Sequence, residues 1–160
     1  LGKSLQQLNN FNALMAVLSA LQNSAVYRLN QTKDGCGSKV QKTVAEGTTL
    51  FDPRQNSANY KVALSAAKPP AVPYLGLYLS ALTFIEEGNP ARLHGLINFK
   101  KCRLISKVIV NLLQYQIGKR YNLVVVDVIR DVIMNLGPAE TDDELYELSL
   151  LREPRVPQPQ

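Results

Sequence analysis

Near the start of the chain, apolar side chains recur at intervals of three and four residues. They are Leu5, Leu8, Phe11, Met15, Leu18 and Leu21. On a helix of about 3.6 residues per turn this spacing gathers them on one face, which predicts a single long amphipathic helix. Asn23-Ser24 interrupts the pattern, and Ser24 is the predicted N-cap of a short helix that reaches Leu29.

Weaker patterns follow this helical region. Residues 30–37 are mostly polar and lack periodicity, which predicts a surface loop. Helices are predicted over residues 40–51 and from an N-cap at Asn56. Pro69-Pro70 and Pro73 must end the second of these helices, because proline lacks an N–H donor and its ring clashes with the preceding turn.

Two long helical patterns joined by a short loop come next. The first begins near Tyr74 and extends to about Glu87, where Gly88-Asn89-Pro90 predicts a left-handed turn and a stop. Asn98 is the predicted N-cap of the second, whose apolar residues are spaced by three and four as far as Gln116. Together they predict an αα-hairpin.

Beyond residue 118, Leu123-Val-Val-Val126 has strand propensity. Four apolar residues of the same region have helical spacing instead: Val124, Val128, Val132 and Leu136. We favour a helix over a strand here, ended by Gly137-Pro138. Thr141 and Glu144 have the spacing of a capping box at the start of a last helix.

Length and composition limit the number of domains. The 160 residues, 46% of them hydrophobic, suffice for one core and are too few for two ordinary domains. We expect one all-helical domain over residues 1–153 and a disordered, proline-rich tail at 154–160.

The chain is basic, with 18 Lys+Arg against 13 Asp+Glu and a formal charge of +5. The bases nearest to forming a patch lie around the second hairpin helix: Lys100, Lys101, Arg103, Lys107, Lys119 and Arg120. Solvated helix faces explain these residues more simply than nucleic-acid binding does. We therefore expect no nucleic-acid partner.

Cysteine use and apolar runs indicate where the chain works. Cys36 and Cys102 lie far apart and imply no disulfide framework, which favours a reducing, cytoplasmic compartment. The N-terminus lacks the layout of a signal peptide. The longest uncharged apolar stretch, residues 71–85, is shorter than the ~20 residues that cross a bilayer, so no transmembrane segment is expected.

No catalytic constellation is evident. The single histidine, His94, has no Cys or carboxylate at ligand spacing, so no metal site is expected. No Gly-rich phosphate loop or nucleophile elbow is present, and no cofactor is implied. Neighbouring carboxylates Glu86 and Glu87 would point about 100° apart on a helix and cannot share one substrate atom. On pattern alone, they read equally well as a solvated helix end.

Six fragments, taken in order, resemble the catalytic domain of Ras-family guanine-nucleotide exchange factors. They are Asn10-Phe-Asn12, Ala25-Val-Tyr-Arg-Leu29, Val72-Pro-Tyr-Leu-Gly76, Glu86-Glu-Gly-Asn-Pro90, Ile97-Asn-Phe99 and Gln114-Tyr-Gln116. The resemblance extends from residue 8 to about 153. It implies an all-α, irregular helical domain with a protruding hairpin, formed by 74–87 and 98–116. Roughly the first third of the family domain would be missing.

In that family the hairpin wedges into a small GTPase beside the nucleotide, displacing one switch segment while the other is gripped. The reaction is non-covalent catalysis of GDP release. The family places an apolar residue over the magnesium position and a glutamate near the phosphate site, and the matching residues here are Thr83 and Glu87. Thr83 also reads as an ordinary helix-surface residue, and its polarity implies weaker exclusion of magnesium.

The resemblance also implies GTPase-binding residues around the hairpin base. Met15 and Tyr74 match walls of an apolar pocket for the second switch, although Met15 reads equally well as core. Gln22 stands where the family usually has an asparagine that steadies the hairpin. Leu75 and Tyr78 complete the implied contact set.

The implied partner is a GTPase of the Ras, Rap or Ral type, acted on at the cytoplasmic face of membranes to which that partner recruits the domain. The domain would need no cofactor, since GDP, GTP and magnesium are bound by the GTPase. An alternative is a catalytically impaired GTPase-binding or scaffold module.

Overall fold

A computed structural model of the chain describes residues 1–118, 120–137 and 140–155, without the side chains of residues 55 and 56. Over these ranges the fold is all-α, as predicted, with ten helices and one short two-stranded ribbon. The helices are α1 (Gly2–Gln7), α2 (Phe11–Gln22), α3 (Ser24–Tyr27), α4 (Asn30–Gly35), α5 (Ser38–Leu50), α6 (Arg54–Ala66), α7 (Leu75–Gly88), α8 (Phe99–Leu113), α9 (Asp127–Met134) and α10 (Asp142–Arg152). The antiparallel strands are β1 (Arg92–Leu93) and β2 (Leu96–Ile97).

The single N-terminal helix predicted from the apolar stripe is wrong, because the chain forms two helices there. Asn9 has a positive φ of 53°, and the Asn10 side chain caps α2 by accepting the Ala13 N–H at 3.0 Å. A long-range pairing explains the break. The Phe11 N–H donates to the Val72 carbonyl at 2.9 Å, and the Val72 N–H donates to the Asn9 carbonyl at 2.9 Å.

The next two predictions also need correction. Asn23, not Ser24, caps α3, since its side-chain oxygen accepts the Ala25 N–H at 3.0 Å. The surface loop predicted for 30–37 is largely helix α4. The carboxylate of Glu153 accepts the N–H groups of residues 31 and 32 at 3.1 and 2.7 Å, so it caps α4 from the far end of the chain.

Other boundaries differ by a few residues. The predicted N-cap at Asn56 is wrong, because α6 begins two residues earlier, at Arg54, with Pro53 at the N-cap position. The helix favoured over a strand at 123–136 is confirmed as α9, but residues 121–126 are irregular and Pro138 lies outside the described residues. No left-handed turn follows α7, because Asn89 has a φ of −136°. Helix α8 ends at Leu113, before Gln116.

Phe11, Tyr60 and Leu64 form the buried centre of the domain. The ring of Tyr60 lies edge-on to Phe11 and stacks on Phe51, each at 5.5 Å between centroids. Phe51 in turn meets Tyr74 edge-on at 5.9 Å. This core, with Phe51 at the end of α5, therefore packs against Tyr74 and Leu77 at the start of the hairpin.

The predicted capping box is present at the start of α10, where Thr141 and Glu144 cap each other's backbone groups. The end of α10 packs against α3. Arg28 donates to the Ser149 carbonyl at 2.7 Å and to the Glu153 carbonyl at 2.7 Å. Of the tail predicted to be disordered, residues 156–160 lie outside the described residues, and that prediction stays untested.

Candidate functional site

Helices α7 and α8 pack against each other as the predicted hairpin, and the β-ribbon joins them. Near the base of the pair, the Tyr78 hydroxyl donates to the Asn111 side-chain oxygen at 3.0 Å. The turn of the ribbon needs left-handed backbone, which His94 (φ 50°) and Gly95 (φ 80°) supply. The lone histidine is thus an exposed turn residue of the loop.

The base of the hairpin is held by two hydrogen bonds to its first backbone N–H groups. The Tyr74 N–H donates to the buried Tyr60 hydroxyl at 2.7 Å, and the Leu75 N–H donates to the Asn12 side-chain oxygen at 3.2 Å. Burial raises the pKa of Tyr60 to about 12, against the smaller lowering effect of its bond to Tyr74. Tyr60 is therefore neutral at physiological pH. These bonds fix where α7 leaves the core.

The far end of the hairpin, next to the loop between its helices, is also held by hydrogen bonds and an ion pair. Asn98 caps α8 as predicted, accepting the Lys101 N–H at 3.2 Å, and its amide donates to the Pro90 carbonyl at 2.9 Å. The Lys101 ammonium lies 2.7 Å from a carboxylate oxygen of Glu86. In the sequence, Glu86 and Glu87 are two equivalent carboxylates. The structure distinguishes them, because it pairs Glu86 with a buried lysine on the other helix.

Thr83 and Glu87 are exposed on α7, one helical turn apart. The Thr83 hydroxyl donates to the Leu79 carbonyl at 3.1 Å, so its proton is used within the helix. Glu87 makes no ion pair with any residue that the structure describes. Both side chains are thus available to a partner on the same stretch of helix.

Three of the residues expected to bind a GTPase line one cavity of about 600 Å³ between α2, α5 and the hairpin base: Met15, Gln22 and Tyr74. Phe51 and Leu77 also line it, and sequence reasoning missed both. Leu77 follows Tyr74 by three residues, and residues at this spacing lie side by side on a helix, so the sequence contained a signal for Leu77. Phe51 comes from another helix end, which no local pattern indicates.

Leu75 and Tyr78 do not face this cavity. Leu75 is exposed beside it, and Tyr78 lines a second cavity of about 870 Å³ between α6, α7 and α8. No described hydrogen bond joins Gln22 to the hairpin. In this structure Asn12 and Tyr60 hold the base instead.

A protein-family model described as RasGEF domain matches residues 1–103, well over half of the chain. The chain belongs to the RasGEF domain family. It is similar to Ras guanine nucleotide exchange factor K of Dictyostelium discoideum, 44% identical over 153 residues. Factors J and H of the same organism are 41% and 35% identical over 151 and 150 residues. Each match covers 94% of this chain and 10%, 18% and 24% of the respective relative, so the chain spans a quarter or less of their lengths.

The fragments that carry the RasGEF resemblance include the segments that hold the hairpin. The backbone pairing of Asn10 with Val72 joins the first fragment, Asn10–Asn12, to Val72–Gly76. The hydrogen bond from the Leu75 N–H to the Asn12 side chain joins them as well. Ala25–Leu29 includes the arginine that anchors the end of α10. Glu86–Pro90 and Ile97–Phe99 form the closed end.

Not all of the basic residues around α8 are free in this RasGEF domain. Lys101 is buried and paired with Glu86, and Lys119 lies outside the described residues. Within the described ranges, no group of three His, Cys, Asp or Glu side chains is placed to hold a metal ion. None of the described helices is long and apolar enough to cross a bilayer.

Proposed function

We propose that this RasGEF domain accelerates GDP release from a Ras-family small GTPase by inserting the α7–α8 hairpin beside the nucleotide. One observation carries the proposal. The hairpin is held by contacts at its base and at its far end, while Thr83 is exposed between these contacts and Glu87 is exposed next to the one at Glu86. A wedge has to resist bending when it displaces part of its partner, and this arrangement supplies that resistance.

The chemistry at the two exposed positions fits displacement of the nucleotide. The Glu87 carboxylate would repel phosphate at the nucleotide site of the GTPase, because like charges repel strongly in a water-poor interface. Because the Thr83 hydroxyl already donates to Leu79, its methyl group is the part left for close contact near the magnesium position. No covalent step is needed, since a GTPase holds its nucleotide mainly through phosphate and magnesium contacts.

The cavity at the hairpin base is the proposed seat for an apolar side chain of the partner. Met15, Tyr74 and Leu77 form apolar walls, and Gln22 supplies a polar group at the same cavity. A flexible methionine and a rigid aromatic wall are common where a surface accepts an apolar anchor. We assign this cavity to the second switch segment of the GTPase.

The proposed partner is of the Ras, Rap or Ral type. GDP, GTP and magnesium belong to that partner, and the domain contributes no cofactor of its own. The proposed place of action is the cytoplasmic face of membranes, where the GTPase recruits the domain.

The decisive experiment follows release of a fluorescent GDP analogue from Ras, Rap and Ral proteins with this chain added. We expect faster release from at least one GTPase, and Glu87→Ala is expected to slow that release while leaving the helix folded. Glu147→Ala, which removes an exposed carboxylate from α10, is the matched control and should match the parental chain. Circular dichroism checks that each variant is folded.

Two outcomes would contradict this proposal. Measurable binding to a GTPase with no acceleration of release would favour the alternative of an impaired binding module. Parental rates in Glu87→Ala would show that the carboxylate takes no part in displacing the nucleotide.

A further inference from the structure

Lys101 is a charged residue in an unusual setting. Its side chain, in the first turn of α8, is only 8% exposed, and lysine is almost never so buried unless it is paired. Its ammonium donates to a carboxylate oxygen of Glu86 at 2.7 Å and to the main-chain carbonyl of Glu86 at 3.2 Å. Glu86 itself is 66% exposed, so water still reaches the carboxylate. The buried lysine is therefore directed at one residue of the facing helix.

The main-chain contact explains what this lysine supplies. The last four carbonyls of a helix have no partner within it, and in α7 these belong to residues 85–88. The Asn89 side chain donates to the Ile85 carbonyl at 2.9 Å, and Lys101 donates to the next carbonyl, that of Glu86. The last turn of α7 holds no basic residue of its own. Lys101 therefore brings to this helix end the positive charge that the helix dipole favours.

These contacts also determine where the next side chain points. Successive residues on a helix are about 100° apart, so turning Glu86 toward α8 sends Glu87 to a different face. Glu87 is exposed and makes no ion pair with the described residues. Without the Lys101 contacts to Glu86, the end of α7 would fray, because the Glu86 carbonyl would have no hydrogen-bond partner in the protein. Glu87 would then lose its fixed direction.

We propose that Lys101 is a positioning residue for Glu87: by holding the side chain and the carbonyl of Glu86, it keeps the Glu87 carboxylate directed at the nucleotide site of the GTPase. This role rests on the proposed exchange function. In this role Lys101 acts through Glu86, with which its ammonium makes both described contacts.

The test compares Lys101→Met with the parental chain in the GDP-release assay on the responsive GTPase. Methionine retains an apolar stem of similar length while removing the ammonium. We expect the maximal release rate to fall roughly tenfold to a hundredfold, because displacing an active group by ~1 Å can lower a rate by up to about a hundredfold. The concentration for half-maximal rate should change much less, because the base cavity is untouched. Lys101→Arg keeps the charge and should retain more activity than Lys101→Met.

Lys100→Met is the matched control, since Lys100 is the neighbouring, exposed lysine on the same helix turn. A double variant separates positioning from a merely structural role. If Lys101 acts through Glu87, adding Lys101→Met to Glu87→Ala should cause little further loss. Amide hydrogen exchange over residues 86–98 should be faster in Lys101→Met and unchanged in Lys100→Met.

The outcomes that overturn the inference are separable from failure of the proposed function. A parental chain that releases no nucleotide from any GTPase would overturn the exchange function and this role with it. An active parental chain with an equally active Lys101→Met would overturn the role of Lys101 alone. So would an equal loss from Lys101→Met in the parental and Glu87→Ala backgrounds.

Discussion

At the scale of single residues, the base of the hairpin depends on a close approach between Tyr74 and Gly76. A Cβ atom built at Gly76 would overlap the end of the Tyr74 ring. No side chain fits there while the ring stays in place. Glycine in a helix is otherwise unfavourable, so its presence in the first turn of α7 has a packing reason rather than a helical one.

Gly76→Ala is therefore expected to destabilise the domain by about 1–3 kcal/mol, the usual cost of overpacking, because the ring must leave its contact with Phe51. The midpoint of urea unfolding measures this loss. Gly88→Ala is the matched control at the other end of α7, where nothing lies within 4 Å of the added Cβ. Alanine at 88 should leave stability unchanged or raise it. Equal stability of the Gly76 variant would show that the ring moves at no cost.

The difference between Glu86 and Glu87 is also decided at this scale. Both were visible in the sequence as exposed carboxylates at a helix end. Which one pairs with α8 depends on the rotation of α7 about its axis, and long-range packing sets that rotation. Local spacing showed only that the two must diverge.

At the scale of elements, α4 shows how one helix is capped by another. Its first turn offers N–H groups that no neighbouring side chain accepts, and the Glu153 carboxylate at the end of α10 accepts two of them. Burial raises the pKa of Glu153, but the bonds from Thr32 and Gln31 and the charge of Arg28 outweigh it and hold that pKa below the ordinary 4.5. The ionised carboxylate is thus the form that the fold prefers.

Since the folded pKa of Glu153 lies below the unfolded one, its contribution to stability is present above the ordinary pKa and is lost as pH falls through the folded pKa. Glu153→Gln should lower stability at pH 7 and weaken the loss of stability on acidification below pH 4.5. Urea midpoints measured across this range test both. Glu147→Gln, an exposed change on the same helix, is expected to follow the parental profile. A Glu153→Gln profile parallel to the parental one would contradict the assignment.

The elements that local patterns predicted best are those with their own caps. Asn98 before α8 and the Thr141–Glu144 box before α10 lie within a few residues of the N–H groups they bind. The break between α1 and α2, and helix α4, were missed because their stabilising partners lie 62 to 122 residues away.

At the scale of the whole molecule, apolar residues are distributed unevenly between core and surface. The buried centre is small, whereas residues 123–136 keep many large apolar side chains exposed. Val128 and Val132, one turn apart on α9, are 75% and 60% exposed. Apolar surface of this kind favours association between molecules.

Replacing Val128 and Val132 together by lysine should reduce concentration-dependent self-association, because the exposed face becomes charged. Sedimentation velocity over a range of concentrations measures this change. Stability should change by less than about 0.5 kcal/mol, as expected for surface positions without partners. A large loss of stability would contradict the exposure and show that the α9 face is covered in solution. Ser106→Lys, which adds a positive charge at a polar, exposed site on α8, is the control and should leave self-association at the parental level.

The sequence by itself determined the helical class, the hairpin with its Asn98 cap, and the family, because periodicity, capping residues and ordered fragments are local properties of the chain. It also placed Met15, Gln22 and Tyr74 in one expected site, through resemblance. Only the tertiary structure decided that Leu75 and Tyr78 stay outside that cavity and that Phe51 enters it. It likewise decided that a buried lysine holds Glu86 and leaves Glu87 exposed. These features depend on how helices distant in sequence rotate and pack against each other, which the energies of short segments do not specify.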